Sequence, residues 1–255
     1  MNKLDKLFNE KNRNLLSIFY TAGFPRLKDT SVILRSLEKY GADLVEVGIP
    51  FSDPVADGPV IQKSNSISLK NGMSLQTLFS QLEEVENDCS LPIILMGYFN
   101  QLLQFGVEKF CQACNASSVD GVIIPDLPLS EYQRKYKTFF KRYNLHLIFL
   151  VSPQTTEERL KEIANETDSF IYAVSVNATT GGSSNLAEQQ DYFRRVTSIT
   201  NKLVIIGFGV RDRESFLKAC EYSGGAIIGS AFIDALGGAG DIDGKVKKFV
   251  KSIID

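Results

Sequence analysis

A single (β/α)8 barrel is the fold this sequence predicts, and three observations carry it. Eight short apolar runs, at 15–20, 44–48, 93–97, 121–125, 146–151, 170–175, 203–207 and 226–229, alternate with stretches of helical period. The runs are apolar on both faces, as parallel strands covered by helices are. The 255 residues match the size of eight such units. A doubly wound open sheet is the alternative with the same alternation. No linker or low-complexity stretch divides the chain, so residues 1–255 are read as one α/β domain.

The opening Met1-Asn2-Lys3-Leu4-Asp5-Lys6-Leu7-Phe8 mixes charges at helical spacing and reads as an extra N-terminal helix ahead of the first strand. It lacks the apolar centre of a signal peptide, and no run is long enough to span a membrane, so a cytoplasmic location is expected. The helical stretches follow at 30–40, 75–86, 106–117, 129–143, 157–166, 187–200, 212–222 and 243–254. Cys111 and Cys114 form a C-x-x-C inside the third of these, with no second ligand pair. With Cys89 and Cys220 they are read as reduced packing residues. His146, the sole histidine, falls in the fifth strand and is read as structural, so no metal site is expected. Arg134-Lys135 and the lysines between 245 and 251 are solvated helix faces, and Phe139-Phe140 belongs to an apolar stripe. A net charge of −2 offers no basic face for nucleic acid.

Chemistry-bearing residues gather where strands end, the rim that carries the site in barrels. Glu46 interrupts the apolar Leu44-Val45-Glu46-Val47-Gly48, where an unpaired charge costs several kcal/mol of desolvation. Eleven residues on, Asp57 stands in a Pro- and Gly-rich loop. Two carboxylates in unlike surroundings have pKa values pushed apart, which acid–base work on one substrate requires. Taken singly, Asp57 and Asp53 are good turn residues, Tyr172 a core residue, and Asp126 a cap for the helix after it. Gly207-Phe208-Gly209 and Gly229-Ser230 follow the seventh and eighth strands, where barrels cradle phosphate. G-x-G-x-x-G and G-x-x-x-x-G-K-[ST] are absent, against dinucleotide or ATP. Asn177-Ala178-Thr179-Thr180-Gly181-Gly182-Ser183-Ser184, after the sixth strand, reads as a lid over the rim.

With these residues in hand, the sequence resembles the tryptophan synthase α-subunit family. The likeness runs from about residue 15 to the C-terminus. It is carried by the segment from Val45 to Gln62, by Thr21-Ala22-Gly23-Phe24-Pro25, Met96-Gly97-Tyr98-Phe99-Asn100, Pro125-Asp126-Leu127-Pro128, Gly207-Phe208-Gly209 and Gly229-Ser230. The resemblance implies a TIM barrel that splits indole-3-glycerol phosphate reversibly into indole and glyceraldehyde 3-phosphate, without a cofactor in this subunit. It implies Glu46 as the acid–base residue, Asp57 as the carboxylate facing the indole N–H, and Tyr172 near the reacting carbon. Phe19 and Phe208 become pocket walls, with Gly181, Gly209, Gly229 and Ser230 the phosphate site. Thr180 becomes the lid residue that meets the loop aspartate. The partner implied is a pyridoxal-phosphate β subunit in an α2β2 complex, contacted through the loop around Asp53-Pro54 and the segment from Tyr98 to Phe105. Two departures stand out. Val176 replaces an arginine common in the lid, and Val60 replaces a hydroxyl residue common after Asp57-Gly58-Pro59.

Overall fold

The computed structural model describes residues 2–55, 57–86, 88–175, 189–238 and 240–255. The apolar runs form eight parallel strands: β1 (Leu15–Thr21), β2 (Leu44–Gly48), β3 (Ile93–Met96), β4 (Gly121–Ile123), β5 (His146–Val151), β6 (Phe170–Val174), β7 (Leu203–Gly207) and β8 (Gly225–Ile228). Each pairs with its neighbour in sequence, and β8 returns to β1 with Leu15 opposite Gly225. That last pairing closes the sheet and rules out the open alternative. Every residue of β1 and β2 is buried, because side chains fill the inside while helices cover the outside.

The helices in chain order are α1 (Lys3–Glu10), α2 (Asp29–Tyr40), α3 (Pro59–Lys70), α4 (Leu75–Glu83), α5 (Phe99–Phe105), α6 (Val107–Ala116), α7 (Leu129–Glu131), α8 (Lys137–Arg142), α9 (Glu157–Glu166), α10 (Gln190–Ile199), α11 (Arg213–Cys220), α12 (Ser230–Leu236) and α13 (Ile242–Ile254). A π-helical turn, Tyr132–Tyr136, joins α7 to α8, so the single helix expected over 129–143 is interrupted. Helix α1 is the extra N-terminal element. Asn2 caps it by accepting from the Leu4 N–H, and pins it under the barrel by donating to the Asp120 and Asn144 carbonyls. Helices α3, α5 and α12 were not among the periodic stretches read from sequence. Helix α3 buries Ser64, Asn65 and Ser68, so polar residues occupy its inner face and hide the apolar period.

Cys89, Cys111 and Cys114 are buried, Cys220 is half-buried, and all four are free thiols. Burial pushes the Cys89, Cys111 and Cys114 thiols up, away from the reactive thiolate. A ring nitrogen of His146 hydrogen-bonds Asp5 of α1 at 2.9 Å, a structural tie. Among the described residues no cluster of His, Cys, Asp and Glu could hold a metal ion, and no helix is long and apolar enough to cross a membrane.

Candidate active site

Glu46 sits in the middle of β2, opposite Phe19 of β1 and Ile94 of β3, rather than at the strand end expected from sequence. Its side chain is wholly buried. One oxygen, Oε1, accepts from the Ser17 hydroxyl of β1 at 3.0 Å, and Oε2 is buried with no hydrogen-bond partner among the described residues. Burial raises the Glu46 carboxyl to about 8, with the Ser17 bond pulling the other way. At neutral pH it therefore holds a proton while sitting within one unit of losing it.

The loop after β2 carries Asp57 and is held from the next strand's loop. Gln101 donates to the Pro50 carbonyl at 2.9 Å, and the Phe51 ring stacks on Tyr98 at 5.0 Å. From α3, Gln62 donates to the Asp57 carbonyl at 2.8 Å. The Asp57 carboxylate accepts from Asn65 Nδ2 and from the Tyr98 hydroxyl, both at a long 3.4 Å. A polar loop was expected to keep this group at an ordinary or lower pKa. Instead burial raises it to about 6, against the weak pull of Tyr98 and Asn65. Burial therefore leaves the Glu46 carboxyl higher than that of Asp57, so Glu46 is the one that keeps its proton to the higher pH.

Tyr172, on β6, turns its phenol toward both. Burial raises that phenol furthest, and the charges of Glu46 and Asp57 raise it again. The side chain fits because residue 207 is glycine: a Cβ there would stand 2.1 Å from the Tyr172 hydroxyl. Phe208 packs edge-on to Tyr172 at 6.1 Å and adopts φ 67°, which costs a residue with a Cβ about 1–2 kcal/mol. Ser175 holds this turn by donating to the Phe208 carbonyl at 3.1 Å. Gly209 follows at φ 75°. Phe19 lies between two glycines, since a Cβ on Gly48 would meet its ring at 2.6 Å and one on Gly229 at 3.3 Å. Ser230 opens α12 immediately beyond.

The structure thus brings Glu46, Asp57 and Tyr172 within electrostatic reach of one another, sets Phe208 against Tyr172, and sets Phe19 against Gly229. Thr180 and Gly181 of the expected lid, like Val176, lie outside the described residues. Asp126 does not cap the helix that follows it. It accepts from the Phe99 N–H at 2.8 Å and so caps α5, after the neighbouring strand.

A family profile described as "Tryptophan synthase alpha chain" matches residues 6–253. The chain belongs to this family. A tryptophan synthase alpha chain from Christiangramia forsetii is 47% identical over 255 residues, covering 99% of this chain and 98% of that one. One from Flavobacterium johnsoniae is 46% identical, covering 99% and 100%. Among solved structures, the tryptophan synthase subunit alpha of Legionella pneumophila superposes with a TM-score of 0.91 at 30% identity, covering 99% and 97%. A chain of the tryptophan synthase complex from Pyrococcus furiosus gives 0.87 at 34%, covering 96% and 99%.

Against this family membership, sequence reasoning passed over Ser17, Asn65 and Gly48 as parts of the site, and read Gly207 only as phosphate cradle rather than as the space that admits Tyr172. Ser17 had one usable signal. It shares a strand face with Phe19 two residues on, so a hydroxyl had to point where Phe19 points. Tyr98 was read only as partner surface, yet its hydroxyl reaches Asp57.

Proposed function

We propose that this chain cleaves indole-3-glycerol phosphate reversibly into indole and glyceraldehyde 3-phosphate. It does so as the α subunit of tryptophan synthase, a carbon–carbon lyase of the last stage of L-tryptophan biosynthesis. The observation that carries the chemistry is the pair of carboxyls with separated pKa values around one buried phenol.

Breaking the bond from indole C3 to the glycerol side chain would strand an electron pair on carbon. Protonation of C3 by Glu46 Oε2 removes that difficulty by giving an indoleninium ion. Its C=N bond accepts the electrons as the C–C bond breaks, restoring the C2=C3 double bond of indole. The side-chain hydroxyl loses its proton to the Glu46 carboxylate and becomes the aldehyde, so the proton account closes on one residue. Asp57, ionised, stabilises the positive charge that develops at N1–H. Tyr172 packs by the reacting carbon, Phe19 and Phe208 wall the indole, and Gly209, Gly229 and Ser230 hold the phosphate at the rim. In this reading Thr180 and Gly181 complete the lid and the phosphate site.

None of these steps calls on a cofactor in this chain, and pyridoxal phosphate is assigned to a β partner. The α2β2 assembly is supported by two exposed apolar side chains on the segments expected to face that partner. They are Val55 in the Asp57 loop, 85% exposed, and Leu103 on α5, 48% exposed. Residues 1–255 act as one catalytic domain in the cytoplasm.

The test is incubation of the purified chain with indole-3-glycerol phosphate, with indole and glyceraldehyde 3-phosphate measured together. Equal amounts of both, released faster when a β chain is added, are expected. Release of neither product, with or without the β chain, would overturn the assignment.

A further inference from the structure

We infer that Ser17 is a positioning residue for the proton transfer, holding Glu46 by Oε1 so that Oε2 alone carries and exchanges the proton. The inference rests on the lyase reading above and adds a residue that the reaction scheme does not use.

Three features support it. First, Ser17 and Glu46 are both fully buried, yet their side chains meet inside the sheet at 3.0 Å, from adjacent strands. A buried hydroxyl and carboxyl seldom sit together unless each meets the other's need for a partner. Second, the bond is one-sided: among the described residues Oε1 has a partner and Oε2 has none. An acid whose two oxygens are so different has one orientation for proton delivery, through the oxygen left without a partner. Third, among the described residues no other side chain donates to the carboxyl. Its strand neighbours Phe19 and Ile94 carry no charge or donor. The titratable groups turned toward the same space are Tyr172 from β6 and, beyond it, Asp57 from the loop after β2. Neither donates a hydrogen bond to Glu46.

The bond also matters during the reaction. When Glu46 gives its proton to C3, a carboxylate is left in an apolar interior. The Ser17 hydroxyl is already aimed at it, and a hydrogen bond to a charged acceptor is stronger than one to a neutral acceptor. The hydroxyl therefore favours the ionised form and eases proton release, in keeping with its downward pull on the Glu46 pKa.

The experiment is Ser17→Ala in the full chain, a change that removes one oxygen and little volume. Two readouts are taken. The first is kcat and KM for indole release across pH, with the β chain present. The second is the infrared C=O stretch of the protonated Glu46 carboxyl, identified as the band that disappears in Glu46→Gln. The expected result is kcat lower by about tenfold or more with KM changed by less than about twofold, since a hydrogen bond to a charged group is at stake. The alkaline limb of kcat/KM moves to higher pH, and the carboxyl band moves to higher frequency on losing its donor. An unchanged band would overturn the proposal, as would a fall in activity at all pH values with the alkaline limb in place. If wild type itself released no indole, the lyase reading would fail on that measurement. The infrared band would still decide whether Ser17 holds Glu46.

Discussion

Glu46 and Asp120 are both carboxylates buried in the barrel wall, and burial raises the pKa of each. They differ in what meets them. At the N-terminal end, Asp120 Oδ1 accepts from the Lys3 N–H at 2.8 Å and Oδ2 from the Ile93 N–H at 3.1 Å. Its two oxygens are satisfied by backbone donors, which cannot rotate away. Among the described residues Glu46 has a single side-chain donor and an oxygen with none. A raised pKa is thus common to a structural and a candidate catalytic carboxyl, and hydrogen-bond satisfaction separates them. The two ends of the barrel divide the work accordingly. The bottom is stapled by Asn2, Lys3 and Asp120, while the interior keeps one acid with an unpartnered oxygen among the described residues.

This contrast can be broken most sharply through pH. The Glu46 carboxyl titrates near 4.5 in an unfolded chain and near 8 in the fold. Between those values the folded chain holds a proton that the unfolded chain has lost, so stability falls as pH rises from 4.5 to 8. Above pH 8 the full cost is present, roughly 3–5 kcal/mol at most. Glu46→Gln removes it, so the variant should gain stability over wild type at pH 9 and show almost no gain at pH 4.5. Urea unfolding at the two pH values measures this, and an equal difference at both would show that Glu46 is not buried as an acid.

Asp120→Ala should act in the opposite sense. It strands the N–H groups of Lys3 and Ile93 and loosens α1, costing about 2–4 kcal/mol by the same urea measurement at pH 7. Turnover in the folded fraction should stay within about twofold of wild type. A large loss of kcat without loss of stability would erase the distinction between the two ends. The smallest effect is expected from Asn65→Ala. It removes one of the two long hydrogen bonds to Asp57, so the Asp57 carboxyl should rise above its present value of about 6. The acid limb of indole release should then move up in pH, with a loss of roughly two- to fivefold at pH 7. An unmoved limb would mean that Tyr98 alone holds the carboxylate.

Much of this architecture was legible in the chain because closed parallel sheets write themselves as continuous apolar runs. β2, β5 and β7 have the residues expected of them. Glu46 was legible for the same reason, since a charge inside such a run has nowhere apolar to hide. Helix α3 was not, because it docks by hydrogen bonds rather than by an apolar stripe. Ser64 meets the Thr21 hydroxyl at 2.6 Å, Ser68 donates to the Ala22 carbonyl, and Asn71 donates to the Gly23 carbonyl at 2.9 Å. The upward shift of Asp57 was hidden too. Its own loop is polar, and the burial arises only when Tyr98 and α3 close around it. Ser17 was legible as a hydroxyl in a strand, but its partner lies 29 residues away on the next strand. A local pattern carries no trace of that pairing.

If the under-satisfied carboxyl is the acid–base group, removing its proton alone should stop the reaction. Indole release from indole-3-glycerol phosphate is measured for wild type and Glu46→Gln at pH 7, with and without a β chain. The glutamine keeps the shape and the Ser17 bond but cannot give or take the proton. The rate is predicted to fall by about 10²–10⁴-fold in both settings, with the variant folded at least as stably as wild type. A folded Glu46→Gln chain that releases indole at the wild-type rate would contradict the account.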